Sequence, residues 1–250
     1  MQRYFVDPNN MNSNEVKIIG DDVHHITKVM RLQPGDEIIC SNGLGNDVIA
    51  KIKTIHPKEI ICSSESILTE TAEPKVQLLL AQGLPKADKM ELIIQKGTET
   101  GVTTFIPFTS QRTIVKLDQK KEQKKWERWE KIAKEAAEQA HRSKIPIIEP
   151  LLSWKELLDR IADKFVLIAY EKENTMRLSK ALSESLQKKP EPTEVVLIIG
   201  PEGGFSEEEV LQAEQRGAIS VSLGKRILRT ETAGLVGIAN IIYHLEELEG

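Results

Sequence analysis

The stretch "VVLIIGPEGGFSEEEV", residues 195–210, decides the fold of this chain. Its first half is a continuous apolar run, which is typical of a strand buried on both faces of a parallel sheet. Its second half begins a helix, with Ser206 at the N-cap and Glu209 at the reciprocal capping position. The glycine-rich turn between them, residues 200–204, therefore lies where a strand meets a helix, a place where α/β proteins bind ligands.

This turn lacks the residues that bind phosphates in other glycine-rich turns. No G-x-G-x-x-G pattern fits it, and it is not a Walker loop because Phe205, rather than a lysine, precedes Ser206. Glu207, Glu208 and Glu209 suit the positive end of the helix dipole, but they would repel a bound polyphosphate. The turn favours a neutral or cationic ligand held by backbone groups. The alternative is that its glycines only permit a sharp turn and close packing.

A second glycine turn occurs in "SLGKRILRTETAG", residues 222–234, after a short predicted strand and before a C-terminal helix that begins near Thr230. Arg226 and Arg229 stand beside this turn. They either face the same ligand or form salt bridges with Glu202 or Glu231. Because ligands gather at the carboxyl ends of parallel strands, we expect the site in these two turns and in the loop after "FVLIAY", residues 165–170.

The chain divides into two regions with different rhythms. Up to residue 72, short period-2 runs separated by Gly, Asn and Pro turns predict a small β-rich domain with antiparallel strands. From residue 73 to 250, strands alternate with helices, which predicts an α/β domain with a largely parallel sheet. A long helix over about residues 118–141 carries Trp126 and Trp129 at helical spacing, and we expect both to pack.

Composition excludes several classes of protein. The 250 residues are 40% apolar, which is enough for real cores, but no apolar run is long enough to span a bilayer and the N-terminus lacks a signal-peptide core. We therefore expect a cytoplasmic protein with no membrane partner. Cys40 and Cys62 have no metal-ligand spacing, so no metal is expected. The net charge of -4 argues against a uniformly basic nucleic-acid binder, yet eleven Lys and Arg against six Asp and Glu between residues 112 and 146 predict a local basic face.

Two motifs together, "LIIGPEGGFSEEE" and "SLGKRILRTETA", resemble the signature pair of the RsmE family. These are the 16S ribosomal RNA uracil-N3 methyltransferases within the SPOUT, or trefoil-knot, superfamily. The likeness spans nearly the whole chain: "RYFV" and "HHITKVMRLQPGD" resemble the family's PUA-like domain, and "KADKMELIIQKGTETGV" and "EQAHRSKIP" resemble its catalytic-domain motifs. The resemblance implies a PUA-like RNA-binding domain over residues 1–72. It also implies a SPOUT methyltransferase domain over 73–250 with a deep C-terminal knot, against the general rule that chains avoid knots.

The resemblance also implies a reaction and a cofactor. The reaction is S-adenosylmethionine-dependent methylation of N3 of a uridine in 16S ribosomal RNA of the small subunit, by a homodimer built on the C-terminal helices. The cofactor is a sulfonium cation without phosphates, which suits the glutamate-rich turn. The residues predicted to bind it are Tyr170, Ile199, Gly200, Pro201, Glu202, Gly203, Gly204, Leu223, Gly224, Ile227, Leu228, Thr230 and Ala233.

Uracil N3 must lose its imide proton before it can attack a methyl group, so we expect a cation that favours the anion and a group that takes the proton. The predicted catalytic residues are Arg229, Glu202, Glu231 and Arg142. Arg229 would support the base or the knot, and the two glutamates would orient it or handle the proton. Arg142 matches the family's Arg in "HRSKIP", but Ser143 stands where many members carry Asn and His141 where Gly is common. Any role of that Asn amide passes to Ser143 or elsewhere.

RNA contacts are expected from basic side chains that reach phosphates, a contribution that salt weakens. The predicted RNA-binding residues are Arg3, His24, His25, Arg31, Arg112, Lys116, Lys120 and Arg142. For a lysine on a helix face, the alternative is plain solvation. Two other functions stay open: a knotted methyltransferase that acts on another RNA or atom, and a non-enzymatic ribosome-assembly factor with a vestigial pocket. The identity of the methylated nucleoside, or its absence, distinguishes the three.

Overall fold

A computed structural model of the chain describes residues 1–69, 72–115, 118–188 and 193–247. They form two compact units: a first unit of Met1–Glu73 with Lys134–Ile145, and a second unit of Pro74–Ala133 with Pro146–Gly250. The predicted boundary at residue 72 lies one residue from this division. The segment 134–145 was predicted in the second domain, whereas the structure groups it with the first unit. The reason is that its side chains bond to residues of the N-terminal region, as Lys134 does to Asp22 of a short helix.

The first unit is built on a five-stranded sheet. Its strands are β1 (Arg3–Phe5), β2 (Glu15–Ile19), β3 (Glu37–Ser41), β4 (Asp47–Ile55) and β5 (Glu59–Leu68), in the order β1-β3-β4-β5-β2. The pairs are antiparallel as predicted, except that β1 lies parallel to β3. A short helix α1 (Asp21–His24) continues as a π-helical turn over His25–Val29. Alternate residues such as Ile38 and Cys40 are fully buried, so one sheet face forms the core with Ile26.

The second unit alternates strands and helices as the sequence predicts. Its elements are β6 (Gln77–Gly83), α2 (Lys89–Glu99), β7 (Thr104–Thr109), α3 (Gln119–Gln139), β8 (Ile147–Ile148), β9 (Leu152–Ser153), α4 (Trp154–Arg160), β10 (Phe165–Ala169), α5 (Leu178–Lys188), β11 (Glu194–Ile199), α6 (Glu207–Gln215), β12 (Ile219–Val221) and α7 (Thr230–Ile242), which ends in a π-helical turn over Tyr243–Glu247. The last residues of α3 belong to the first unit. Trp129 on this helix is buried, as predicted. None of the helices in the described ranges is long and apolar enough to cross a membrane.

All strand pairs of the second unit are parallel, in the order β12-β10-β11-β6-β7-β8, with β9 beside β7. The quoted apolar run forms β11 at the centre, where Val196, Leu197 and Ile198 are fully buried. Central strands of parallel sheets are covered on both faces, which explains the unbroken apolar run. The helix after it begins at the predicted capping box, since Ser206 Oγ accepts from Glu209 N and the Glu209 carboxylate accepts from Ser206 N.

The C-terminal helix returns across the sheet. Strand β12 lies at the sheet edge beside β10, yet α7 contacts α2, β6 and β11 instead of staying at that edge. Gly237 allows α7 to lie against β11, because a Cβ there would stand 2.4 Å from Leu197 Cδ2. The chain thus crosses back over the turn that follows β11. A knot of the predicted kind requires a return of this sort.

Candidate active site

The carboxyl ends of β10, β11 and β12 open onto one cavity of about 530 Å³ in the second unit. These strands are parallel neighbours, so their ends share one edge of the sheet. The cavity is lined by the loops 169–174, 199–205 and 222–230, together with Lys89 of α2 and Ala233 of α7. The sequence predicted a site in the loops after these three strands, because ligands gather at the carboxyl ends of parallel strands. Its volume falls within the roughly 300–1,000 Å³ of small-molecule sites.

Every residue predicted to bind the cofactor lines this cavity, and so do two of the predicted catalytic residues, Arg229 and Glu202. The structure therefore brings these residues together, while their individual roles stay predictions. Glu231, in the first turn of α7, pairs with the cavity residue Lys89. Arg142 belongs to the first unit.

The glycine turn after β11 packs against the end of β6. A Cβ at Gly83 would lie 2.5 Å from Pro201 N, so only glycine permits this approach without displacement. Gly204 has a φ of +65°, a conformation that L side chains rarely adopt, and its N–H donates to Pro201 O at 2.9 Å. Close packing, the alternative explanation for these glycines, is therefore part of what they do: Gly83 and Gly204 let the backbone form one wall of the cavity.

A buried relay of hydrogen bonds fixes the same turn. Gln82, fully buried at the end of β6, donates its amide Nε2 to Thr230 Oγ1 at 2.9 Å. The Thr230 hydroxyl in turn donates to Gly200 O at 2.6 Å. The relay joins β6, the glycine turn and the first residue of α7. Because the Thr230 hydroxyl donates its hydrogen bond to Gly200 O, it stabilises the cavity wall and is not a free donor to a ligand.

Two carboxylates at the cavity are held by one lysine. Lys89 Nζ lies 3.1 Å from Glu202 Oε1 and 3.3 Å from Glu231 Oε2. Burial opposes the ionisation of Glu202, but donation from backbone N–H groups, including that of Lys86, and from the Lys89 ammonium lowers the pKa of this carboxyl below its ordinary value. The hydrogen bond to Glu202 raises the pKa of Lys89, and Glu231 adds to the effect. Glu202 and Lys89 are therefore both charged at neutral pH.

The cavity mouth carries three further cations, Lys225, Arg226 and Arg229, all exposed. Within the part of the chain that the structure describes, none of the three forms an ion pair. The alternative that Arg226 and Arg229 are neutralised by Glu202 or Glu231 is thus not what the structure shows. Those two carboxylates are paired with Lys89 instead.

Arg142 is 2% exposed and paired with Glu73 inside the first unit. Its Nη2 donates to Glu73 Oε2 at 2.7 Å, and Glu73 Oε1 also accepts the backbone N–H groups of Ser143 and Lys144. Ser143 Oγ donates to Asp47 Oδ2 at 2.6 Å. The hydroxyl at this position therefore holds the segment to the N-terminal sheet.

Two of the predicted RNA-binding residues, Arg3 and Arg142, have buried guanidinium groups. Arg3 is 5% exposed and pairs with Asp47, and Arg142 is enclosed by its pairing with Glu73. A buried, paired arginine offers little surface to a phosphate. The other predicted RNA-binding residues that the structure describes are exposed: His24, His25 and Arg31 in the first unit, and Arg112 and Lys120 in the second. Arg112 donates from Nη1 to Gly203 O at 3.0 Å, and Lys116 lies outside the described residues.

Lys89 is the functional candidate that the sequence did not single out. It follows β6 by six residues, and β6 lies beside β11 in the sheet. The loop after β6 therefore ends beside the glycine turn, a neighbourhood that requires knowledge of the strand order. Glu171 and Asn174 also line the cavity and were not predicted. The sequence feature that could have identified them is their position in the loop after strand β10. No His, Cys, Asp and Glu cluster that could hold a metal ion occurs among the described residues.

Comparison with known families defines the class of protein. The chain matches an RNA methyltransferase domain over residues 72–242 and an RNA methyltransferase PUA domain over residues 18–63. Together with the parallel sheet, the returning C-terminal helix and the cavity at the glycine turns, these matches define an RNA methyltransferase of the SPOUT type with a small β-rich PUA-like domain. The predicted fold class is confirmed.

Individual relatives define the family within this class. The ribosomal RNA small subunit methyltransferase E of Bacillus subtilis is 40% identical over 254 residues, which cover 100% of this chain and 99% of the relative. The protein of the same name from Synechocystis is 33% identical, over 98% of this chain and 78% of its own. The crystal structure of the Neisseria gonorrhoeae protein of that name, bound to S-adenosyl methionine, matches with a TM-score of 0.84 at 31% identity, over 96% of each chain. The chain belongs to the ribosomal RNA small subunit methyltransferase E family, so the predicted family is confirmed.

Proposed function

We propose that this protein transfers a methyl group from S-adenosylmethionine to N3 of a uridine in 16S ribosomal RNA. The observation that carries the proposal is the cavity itself. It is built by the two signature turns of a family in which a relative 31% identical to this chain is bound to S-adenosyl methionine. We place the reaction on the small ribosomal subunit in the cytoplasm, in keeping with the name of the relatives.

The cavity residues fit this cofactor. Carboxylates of Glu171 and Glu202 line the cavity and suit a ligand with sulfonium and ammonium charges. The apolar side chains of Leu223, Ile227 and Leu228 offer a surface for the adenine. When bound, the cofactor supplies an electrophilic methyl group.

The chain's own residues then have to favour the uracil anion. Arg229 lines the cavity, is exposed at the start of α7, and is not committed to an ion pair among the described residues. An uncommitted guanidinium stabilises negative charge that develops on the base. Glu202 has a lowered pKa, which makes it a weak proton acceptor and suits it to orienting other groups. Glu231 keeps the candidate role of orienting or accepting the proton.

The exposed end of α7 supports the proposed homodimer. Ala239 and Asn240 are exposed on the helix, and Tyr243, just beyond it, is 57% exposed. Small residues and an exposed aromatic ring permit close contact with a second copy. Light scattering on the purified protein would give twice the monomer mass if this holds, and the monomer mass if it does not.

The function is tested with purified protein, radiolabelled S-adenosylmethionine and small subunits from cells that lack this gene. After nuclease digestion, nucleoside mass spectrometry should find N3-methyluridine. Arg229→Ala should lose most of the activity. Arg216→Ala is the matched control, because Arg216 is an exposed arginine of the same unit that pairs with Asp159 and does not line the cavity. We expect it to retain wild-type turnover.

Other outcomes select among the alternatives. A different methylated nucleoside, or transfer only to another RNA, would replace the proposed substrate by that of another knotted methyltransferase. Cofactor binding with no transfer to any RNA tested would favour an assembly factor. Failure to bind S-adenosylmethionine in calorimetry would contradict the proposal at its first step.

A further inference from the structure

Lys89 joins three separate parts of the chain at the cavity. It lies in the first turn of α2, and its ammonium contacts Glu202 from the turn after β11 and Glu231 from the first turn of α7. Its side chain is 31% exposed, while those of Glu202 and Glu231 are 27% and 14% exposed. Partial burial makes such pairs stronger than surface salt bridges.

The surrounding charges leave Lys89 as the partner of both carboxylates. Asp88 and Glu91 lie on the same stretch of chain, and Glu91 is itself paired with Arg128 of α3. Lys86 approaches Glu202 through its backbone N–H, 3.1 Å from Oε1, while its own side chain is exposed. The side chain of Lys89 is therefore the cation that offsets the charge of this pair of carboxylates.

Occupation of these carboxylates has a consequence for Arg229. Arg229 stands two residues before Glu231 and lines the cavity together with Glu202. A free carboxylate within reach would attract the guanidinium, and the ion pair would offset the positive charge that a developing anion needs. With Glu202 and Glu231 held by Lys89, neither of these two carboxylates competes for Arg229. A third cavity carboxylate, that of Glu171, lies beside Gly204 in the loop after β10.

We propose that Lys89 is a positioning residue for the methyl transfer: it holds Glu202 and Glu231 and so leaves Arg229 free to face the base. This inference rests on the proposed function, because it assumes that Arg229 stabilises the uracil anion. It assigns the residue a role in turnover rather than in cofactor affinity.

The test compares Lys89→Met with Lys86→Met. The Lys86 variant also removes one positive charge, but from an exposed side chain three residues earlier in the chain. For each variant, kcat and KM for S-adenosylmethionine are measured across pH 6 to pH 10, roughly the range over which an imide proton is lost. Lys89→Met should lower kcat at neutral pH by at least about tenfold. This is less than the roughly 100–1,000-fold cost of removing a charge-stabilising donor itself, because Arg229 is still present. The pH at which kcat rises should increase, because the uracil N3 proton must then be lost to the solvent without Arg229 to stabilise the anion. KM for the cofactor should change less than about threefold, as expected for an interaction used only in the transition state.

Rescue separates positioning from a general structural role. Lys89→Arg, which keeps the charge, should retain most of the activity. Circular dichroism on each variant verifies that the fold persists.

The outcomes are distinguishable. Wild-type protein that transfers no methyl group contradicts the proposed function. If the wild type is active, a Lys89→Met variant with an unchanged pH profile contradicts the role of Lys89 alone. A Lys89→Arg variant that is no more active than Lys89→Met also contradicts it, because a cation at this position would then not be enough to restore turnover.

Discussion

The close approach between β6 and the glycine turn gives a sharp prediction for Gly83→Ala. A Cβ at this position would lie 2.5 Å from Pro201 N, 2.6 Å from Pro201 Cδ and 2.9 Å from the carbonyl carbon of Gly200. Real Cβ atoms essentially never approach other atoms closer than 3.0 Å. Two of the three nearest atoms are backbone atoms, so no flexible side chain can move aside.

The magnitude follows from how firmly both sides are held. Restoring an ordinary contact of 3.4 Å requires a displacement of about 0.9 Å. Gly83 pairs with Phe108 of β7, and Gly200 O accepts the bond from Thr230, so neither segment moves without losing hydrogen bonds. Overpacking typically costs about 1–3 kcal/mol, and we expect the upper end here. At about 2–4 °C per kcal/mol for a chain of this size, Tm should fall by about 6–12 °C.

Thermal unfolding of Gly83→Ala and calorimetry with S-adenosylmethionine measure the two consequences. The displaced turn should also weaken cofactor binding, because residues 200–204 line the cavity. Gly234→Ala is the matched control: its Cβ would meet atoms of Gln82 and Leu80 at 3.5 Å, which is ordinary contact, and alanine favours a helix interior by about 1 kcal/mol. A Tm for Gly83→Ala equal to that of the wild type would refute the packing that the structure shows between β6 and the turn.

Three further variants test other parts of the structure. Arg142→Met should lower the free energy of unfolding, measured in urea, by about 3–5 kcal/mol, because it leaves the enclosed Glu73 carboxylate without its guanidinium partner. Combining Arg142→Met with Glu73→Gln should recover part of this loss. An Arg142→Met variant as stable as the wild type would contradict the structural role. Gln82→Met should weaken S-adenosylmethionine binding in calorimetry because it breaks the relay to Thr230, and an unchanged Kd would show that the relay does not shape the cavity. Hydrogen bonds from the Thr175 hydroxyl, and then from backbone N–H groups, lower the pKa of Glu173 to about 2 from 4.5, so its contribution to stability is complete above pH 4.5 and is lost as pH falls toward 2. The Tm of Glu173→Gln should therefore fall less than that of the wild type as the pH is lowered over that interval. Parallel curves of Tm against pH for the two proteins would contradict this assignment.

Much of the candidate site could be predicted from sequence because its determinants are local. The buried strand, the capping box at Ser206 and the glycine turn follow from a single stretch of residues. Parallel strands then bring their carboxyl ends together, so the loops after β10, β11 and β12 could be assigned to one site without coordinates. The gathering of the predicted cofactor residues in one cavity follows from that rule.

The rest depends on contacts between residues far apart in the chain. Lys89 contacts Glu202 and Glu231, more than 100 positions away, and no local pattern encodes that meeting. The segment "HRSKIP" is similar to a family motif, but the sequence does not show that Glu73 encloses Arg142 there. Arg3 looks like a surface cation until Asp47 is placed beside it. Burial of charged residues is set by tertiary pairing, so the sequence alone does not show that these side chains are buried.

The distribution of charge also explains how a net-acidic chain can act on RNA. The net charge of the chain is -4. Many of its surface glutamates are compensated by a lysine or an arginine, as Glu207 is by Lys172. At the cavity mouth, by contrast, Lys225, Arg226 and Arg229 stand without ion pairs among the residues that the structure describes. Phosphates are attracted to uncompensated cations, and screening confines that attraction to about 10 Å at ordinary salt. We therefore expect the local field at the site, rather than the total charge, to govern the approach of RNA. Because Lys89 holds Glu202 and Glu231, the same lysine that leaves Arg229 free to face the base also keeps these two carboxylates from offsetting the cations that attract phosphates.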